Sequence, residues 1–138
     1  MSQENVEIVR AAIEAFNRGD SDALFQKMAP QFEFDMSRAM GTERGIHVLD
    51  EARRVWEEFA ANWDSVRFDP HEFIEAGDLV VVPQTTRARG RDGIEVVARP
   101  TLVWTIRDGA IVRISMYQER QDALEALGLS EQDAHADS

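Results

Sequence analysis

The spacing of apolar positions changes character along the chain, and each change marks an expected element. Val6, Val9, Ile13 and Phe16 recur at helical spacing with Ala12 beside them, which predicts an amphipathic helix of about four turns ending at Asn17-Arg18-Gly19. Asp20 or Ser21 then offers an N-cap for a short second helix through Met28, with Leu24, Phe25 and Met28 as its buried stripe and Pro30 as the stop. Between Gln31 and Met36 the period drops to two. Phe32 and Phe34 alternate with polar neighbours there, as in a half-buried strand. Ser37 to Gly45 reads as a loop. From Ile46 to Trp63 the helical period returns, with Val48, Ala52, Val55, Trp56, Phe59 and Trp63 on one side and Asp50, Glu51, Arg53, Arg54, Glu57 and Glu58 on the other.

The second half reads as strands. Val66 to Glu75 is interrupted by Pro70, which places it at an edge or a bulge. Ala76-Gly77-Asp78 is a turn. Leu79 to Arg89 begins as a valine run and becomes polar at Gln84, so its facing stays ambiguous. A Gly90 to Gly93 turn leads into Ile94 to Glu119, read as two long strands joined at Arg107-Asp108-Gly109. A three-residue connection with a glycine bulge would set the residue after Gly109 against Ile106. Ala98, Pro100, Leu102, Trp104 and Ile106 would then share one apolar face with Ala110, Val112, Ile114 and Met116. A two-residue Asp-Gly turn would instead set Trp104 against Arg113, so the bulged register is expected. Gln121 to Leu127 forms a last short helix closed by Gly128. Strands joined by short turns rather than helical crossovers make an α+β fold: a curved antiparallel sheet wrapped around the long helix and two N-terminal helices, forming a cone with a pocket. Residues 1–129 form one domain, and 130–138 are a polar acidic tail.

Composition narrows the partners. Aspartate and glutamate number 26 against 15 lysines and arginines, a formal net charge of -11. Such a field repels phosphate backbones, so nucleic acid is not an expected partner. The basic run Arg87, Arg89 and Arg91 reads as solvated arginines at a strand end. The absence of cysteine excludes disulfides, thiolate metal sites and a cysteine nucleophile, and is compatible with a cytoplasmic location. The opening stretch is acidic and amphipathic rather than leader-like, and no apolar run approaches the ~20 residues that cross a bilayer, so no membrane association is expected.

Several strings, in this order, carry a family resemblance: Val9 to Asp20 (VRAAIEAFNRGD), Ala23-Leu24 leading to Pro30, Phe32 to Asp35, Arg44-Gly45, Glu75 to Val82 (EAGDLVVV), and Leu102 to Gly109 (LVWTIRDG). The chain resembles the SnoaL-like or ketosteroid isomerase-like branch of the nuclear transport factor 2-like (cystatin-like fold) superfamily over all but its tail. In isomerase-type members a carboxylate just after the first strand is the proton-shuttling base, while a first-helix tyrosine and a late-strand acid stabilise the enolate. The resemblance places Asp35 at the base position, but Ala12 and Leu102 at the other two. Without those donors an enolate is not stabilised in that way. What the resemblance implies is therefore a homodimer, associating through its outer sheet face, with cofactor-free acid-base chemistry of isomerase, cyclase or hydratase type on a small apolar or cyclic compound. The competing reading is a non-catalytic ligand-binding or association domain of the same fold.

The candidate catalytic residue is Asp35, at the end of an apolar strand where partial burial would raise its pKa towards that of a general base. The alternative is a loop carboxylate that caps Ser37 or pairs with Arg38. The expected ligand-binding set is Phe16, Phe34, Trp56, Phe59, Trp63, Leu102, Trp104 and Met116, with Gln118 as an orienting hydrogen-bond group. Core packing is the competing reading for the aromatic stripe. Tyr117 falls on the outer face and is expected at a dimer contact. No metal site is expected, because His47, His71 and His135 lack ligand spacing. No glycine-rich phosphate loop or nucleophile elbow is present, and no cofactor is expected.

Overall fold

The computed structural model describes residues 2–38 and 45–130. Most of the expected 37–45 loop and nearly all of the acidic tail lie outside them. The elements are α1 (Ser2–Asn17), α2 (Ser21–Gln26), β1 (Met28–Asp35), β2 (Ile46–Val48), α3 (Leu49–Ala61), β3 (Ser65–Pro70), β4 (Ile74–Ala76), β5 (Leu79–Arg89), β6 (Glu95–Ala98), β7 (Thr101–Arg107), β8 (Ala110–Tyr117) and α4 (Arg120–Ala126). The eight strands form one strongly curled sheet in the order β2-β1-β8-β7-β5-β3, with β4 and β6 also paired to β5. The α+β class and the curled sheet are as expected. One pairing, β1 with β8, is parallel.

Local chemistry explains the boundaries. Asp20 accepts a hydrogen bond from the Ala23 amide and caps α2, which closes at Lys27 and leaves Met28 to begin β1 rather than to end the helix. Pro30 lies within a register shift of β1 against β8, where its missing N–H removes no regular ladder bond. The long helix starts three residues later than its apolar pattern does. Ile46 to Val48 pair with Asp35 to Glu33 as an edge strand, and the Glu51 carboxylate accepts the Val48 amide at the start of α3. The strand expected at Val66 to Glu75 ends at Pro70, and Ile74 begins a separate short one.

The β7–β8 hairpin corrects the expected turn. Arg107 pairs with Ala110 across a two-residue turn in which Asp108 and Gly109 both have positive φ, 52° and 77°. That is the turn type whose twist matches the strands. The register then shifts between Ile106↔Ile111 and Thr105↔Arg113, leaving Val112 as a bulge. This bulge removes the objection to the short turn, because Trp104 now faces Ile114 rather than Arg113, and Leu102 faces Met116. Ile111 replaces Ala110 and Val112 on the inner face and is fully buried, and Ala98 is exposed rather than internal.

The core is concave-side. Val9, Ile13, Leu24, Phe25, Phe32, Phe34, Val55, Trp56, Phe68, Val80, Val82, Leu102, Trp104, Ile106, Ile111 and Ile114 form one buried cluster between the helices and the sheet. A smaller cluster, Ile74, Val81, Val103, Tyr117, Ala123 and Leu124, lies on the convex side under α4. Two-sided burial explains why β5 reads as an unbroken valine run: Val80 and Val82 face one cluster and Val81 the other. It also corrects Tyr117, which is buried within its own chain rather than displayed for a dimer contact.

Candidate functional site

Trp56 is the centre of the concave side. Its ring meets Phe16, Phe25 and Phe34 edge-on at centroid distances of 5.7, 5.7 and 5.2 Å, and Phe68 at 6.3 Å. Phe16 stacks on Phe68 at 4.0 Å. These edge-to-face arrangements place ring edges against negative ring faces and add to simple burial. The Asn17 side chain fixes the helix to the strand beneath by two bonds to Phe68: its amide nitrogen donates to the Phe68 carbonyl at 2.9 Å and its oxygen accepts from the Phe68 amide at 2.8 Å. The pair closes the α1 end over β3.

Beside this cluster, between the α1–α2 corner and the C-terminal end of α3, the surface opens into a cleft of about 570 Å³. Phe16, Leu24, Phe25, Trp56, Trp63 and Val66 supply its apolar wall, and Asn17, Asp20, Ser21, Glu57 and Asp64 its polar rim. A second opening, of about 590 Å³, adjoins it across Trp63 and runs along Gly90, Arg91, Asp92 and Ile94. Sequence reasoning missed Phe25, Phe68 and Val66 as neighbours of this site. The alternation of Val66 and Phe68 in a strand following the aromatic helix is the signal that was available.

The expected ligand residues divide into groups. Phe16, Trp56 and Trp63 line the cleft. Phe34, Leu102 and Trp104 are buried in the core, with Met116 packed against it. Phe59 is exposed on α3, 6.4 Å from Trp63 between ring centroids. Gln118 lies at the sheet margin, exposed, and donates to the Arg38 carbonyl at 2.7 Å.

Asp35 is on the other side of the sheet. Along β1, Phe32 and Phe34 enter the concave core, so Glu33 and Asp35 face the convex side with Arg113 and Ser115 of β8. Arg113 spans both carboxylates, with Nη1 2.5 Å from Glu33 and Nη2 2.8 Å from Asp35. Arg38 adds a contact to Asp35 at 3.3 Å and lays its guanidinium over the Tyr117 ring at 4.3 Å. The Ser37 hydroxyl and amide donate to the other carboxylate oxygen at 2.6 and 3.0 Å. Burial on its own would raise the Asp35 pKa. The bonds from Ser37, then Arg38 and Arg113, outweigh it and hold the group down at about 2. The expected upward shift is thus reversed, because every lone-pair direction of the carboxylate is met by a donor. A group so stabilised as an anion is a weak base.

Among the described residues no group of three or more histidine, aspartate or glutamate side chains is close enough to hold a metal ion, and no helix is long and apolar enough to cross a membrane.

The model of the SnoaL-like domain family matches residues 9–114. The chain belongs to this family. Solved structures of similar fold include an NTF2-like protein of unknown function from Burkholderia pseudomallei, 26% identical, with a TM-score of 0.70 over 88% of this chain and 95% of the other. A candidate polyketide cyclase from Sinorhizobium meliloti is 25% identical, with a TM-score of 0.65 over 80% of this chain and 94% of that one. TerC, crystallised with polyporic acid, is 24% identical, with a TM-score of 0.74 over 91% and 98%, and shows likeness of fold alone. Among curated proteins no significant match is found. The SnoaL-like assignment places the chain in the nuclear transport factor 2-like superfamily, a cyclase- and isomerase-type small-molecule fold.

Proposed function

We propose that the chain binds a small, flat, apolar organic molecule in the cleft between the α1–α2 corner and the end of α3, and that it does so without using Asp35 as a base. The observation that carries this reading is the wall of Phe16, Phe25, Trp56 and Trp63 beside an opening of about 570 Å³. That volume falls within the range of small-molecule sites, and aromatic walls with a few polar groups at the rim suit a planar ligand. Family membership supports the same substrate class. The likeness to a candidate polyketide cyclase favours turnover of a cyclic compound as a second reading. Any base for it would be drawn from Glu57 or Asp64, which line the cleft, in preference to Asp35, which does not.

The test is a titration with 2-naphthol, a neutral fused-ring phenol, followed by tryptophan fluorescence and thermal shift. Two of the three tryptophans, Trp56 and Trp63, line the cleft. The expected result is saturable quenching with a rise in melting temperature, both lost in Trp63→Ala. Equal binding by parent and Trp63→Ala, or no saturable response in the parent, would overturn the proposed site.

A further inference from the structure

The cleft does not stop at Trp63. The second opening, of about 590 Å³, shares Ala61 and Trp63 with it, so the indole is a wall common to both spaces. Strand register shows what lies beyond. Val66, Ala88 and Val96 pair directly across β3, β5 and β6, and directly opposed residues project from one face of a sheet. Val66 lines the cleft, which puts Val96 and, two positions earlier, Ile94 on the cleft side. Gly90, whose amide bonds to the Ile94 carbonyl across the turn, faces the same way, because a Cβ there would stand 3.7 Å from Cε3 of Trp63.

Ile94 and Val96 are 59 and 46% exposed, an apolar strip in water that runs on from the cleft. Single apolar side chains on a surface need no explanation, but a strip continuous with an aromatic opening marks a binding surface. Its turn is already satisfied. The Gly90 amide donates to the Ile94 carbonyl at 2.8 Å, the Gly93 amide donates to the Gly90 carbonyl at 3.0 Å, and the Asp92 carboxylate accepts from the Ile94 amide at 3.4 Å. Covering the strip with an apolar group therefore strands none of these donors.

We propose that the strip holds an alkyl arm of the ligand, so that the class bound is a planar ring compound carrying an apolar chain of several carbons. This rests on the binding site proposed above: the ring lies against Phe16, Phe25 and Trp56, and the chain passes Trp63 to reach Ile94. The walls change chemistry at that point. Inside they are rings, which match flat faces, whereas outside they are Ala61, Gly90 and Ile94, small or aliphatic, which a bending chain can follow. A ring compound without an arm fills the inner space and leaves Ile94 wet. The arm takes that area out of water, and affinity rises with the length of chain laid over it.

Isothermal titration calorimetry with 2-naphthol and its 6-alkyl derivatives, methyl to pentyl, tests the proposal. In the parent the dissociation constant should fall about two- to fourfold with each added methylene, as burial of that group predicts. Ile94→Asp, at an exposed position, should keep the affinity for 2-naphthol itself and flatten the series, while Ile94→Leu should keep the slope. Equal binding of 2-naphthol and its pentyl derivative, or a slope unchanged in Ile94→Asp, would overturn the arm and leave the cleft standing as the ring site. Failure of the parent to bind 2-naphthol would overturn both. A strip covered by another copy of the chain would instead show in sedimentation equilibrium as a mass above 15.6 kDa that Ile94→Asp abolishes, and that result would also overturn the proposal.

Discussion

The concave and convex faces of the sheet meet along β1, where Phe32 and Phe34 pass into the core and Glu33 and Asp35 pass onto Arg113. Both faces are ordered, but by different physics. Around Trp56 the forces are non-directional: rings at 5 to 6 Å contribute through area and edge-to-face geometry, and nothing demands that the outermost ring be covered. The cluster therefore ends in an open cleft at little cost. Around Asp35 the forces are directional and saturable, and Ser37, Arg38 and Arg113 use up the carboxylate. A buried charge with all its partners is a good anchor and a poor reagent. The face that looks more chemical by residue type is the structural one, and the oily face retains room for a ligand.

The comparison breaks most readily at Trp56. Trp56→Ala removes a ring with four aromatic neighbours from a site about 8% exposed, so each of them loses its edge-to-face partner. The expected cost is about 3–5 kcal/mol, read from urea denaturation, together with loss of ligand binding. A cost below about 1 kcal/mol would mean that the cluster is not what holds the helices to the sheet.

On the convex face the expected effect is smaller and depends on pH. The Asp35 carboxyl titrates at about 2 in the folded chain against an ordinary 3.8. A depressed carboxylate contributes its full stability above the unfolded value and loses it as pH falls through the folded one. That difference corresponds to about 2 kcal/mol. Asp35→Asn should therefore be less stable than the parent by about 2 kcal/mol at pH 7, and the gap should close between about pH 4 and pH 2. A gap that persists unchanged at pH 2 would show that the charge is not the source. Glu33 shares Arg113 but its side chain is 46% exposed, so Glu33→Gln should cost only about 0–1 kcal/mol by the same denaturation measurement.

Much of this arrangement was legible in the residues. The helices, the succession of strands after the long helix and the apolar run Leu102-Trp104 against Ile114-Met116 follow from period and turn chemistry, whereas the parallel pairing of β1 with β8 does not. So does the alternative role of Asp35 as a carboxylate held by Ser37 and Arg38. Its partner Arg113 is 78 positions away, and no local pattern links the two. The turn at Asp108-Gly109 was misread because a bulge at Val112 restores the facing that the short turn alone would have reversed, and bulges leave no side-chain signature. The same limitation affects α3. Helical spacing shows which residues share a stripe, but not where along the stripe the sheet stops.

Phe59 supplies the finest test of that last point. It lies on the same stripe as Ala52, Val55 and Trp56, so periodicity alone assigns it to the core, yet it is 41% exposed and its nearest ring, Trp63, is itself only half-buried. Removing it leaves no enclosed cavity, and a large share of its apolar area is already in water. Phe59→Ser should shift stability by no more than about 0.5 kcal/mol and should leave 2-naphthol binding intact, because Phe59 does not line the cleft. A loss near that of Trp56→Ala would place the helix end under the sheet. The aromatic wall would then close over the opening that the proposed ligand needs, and the distinction between a saturated convex face and an open concave one would fail at its margin.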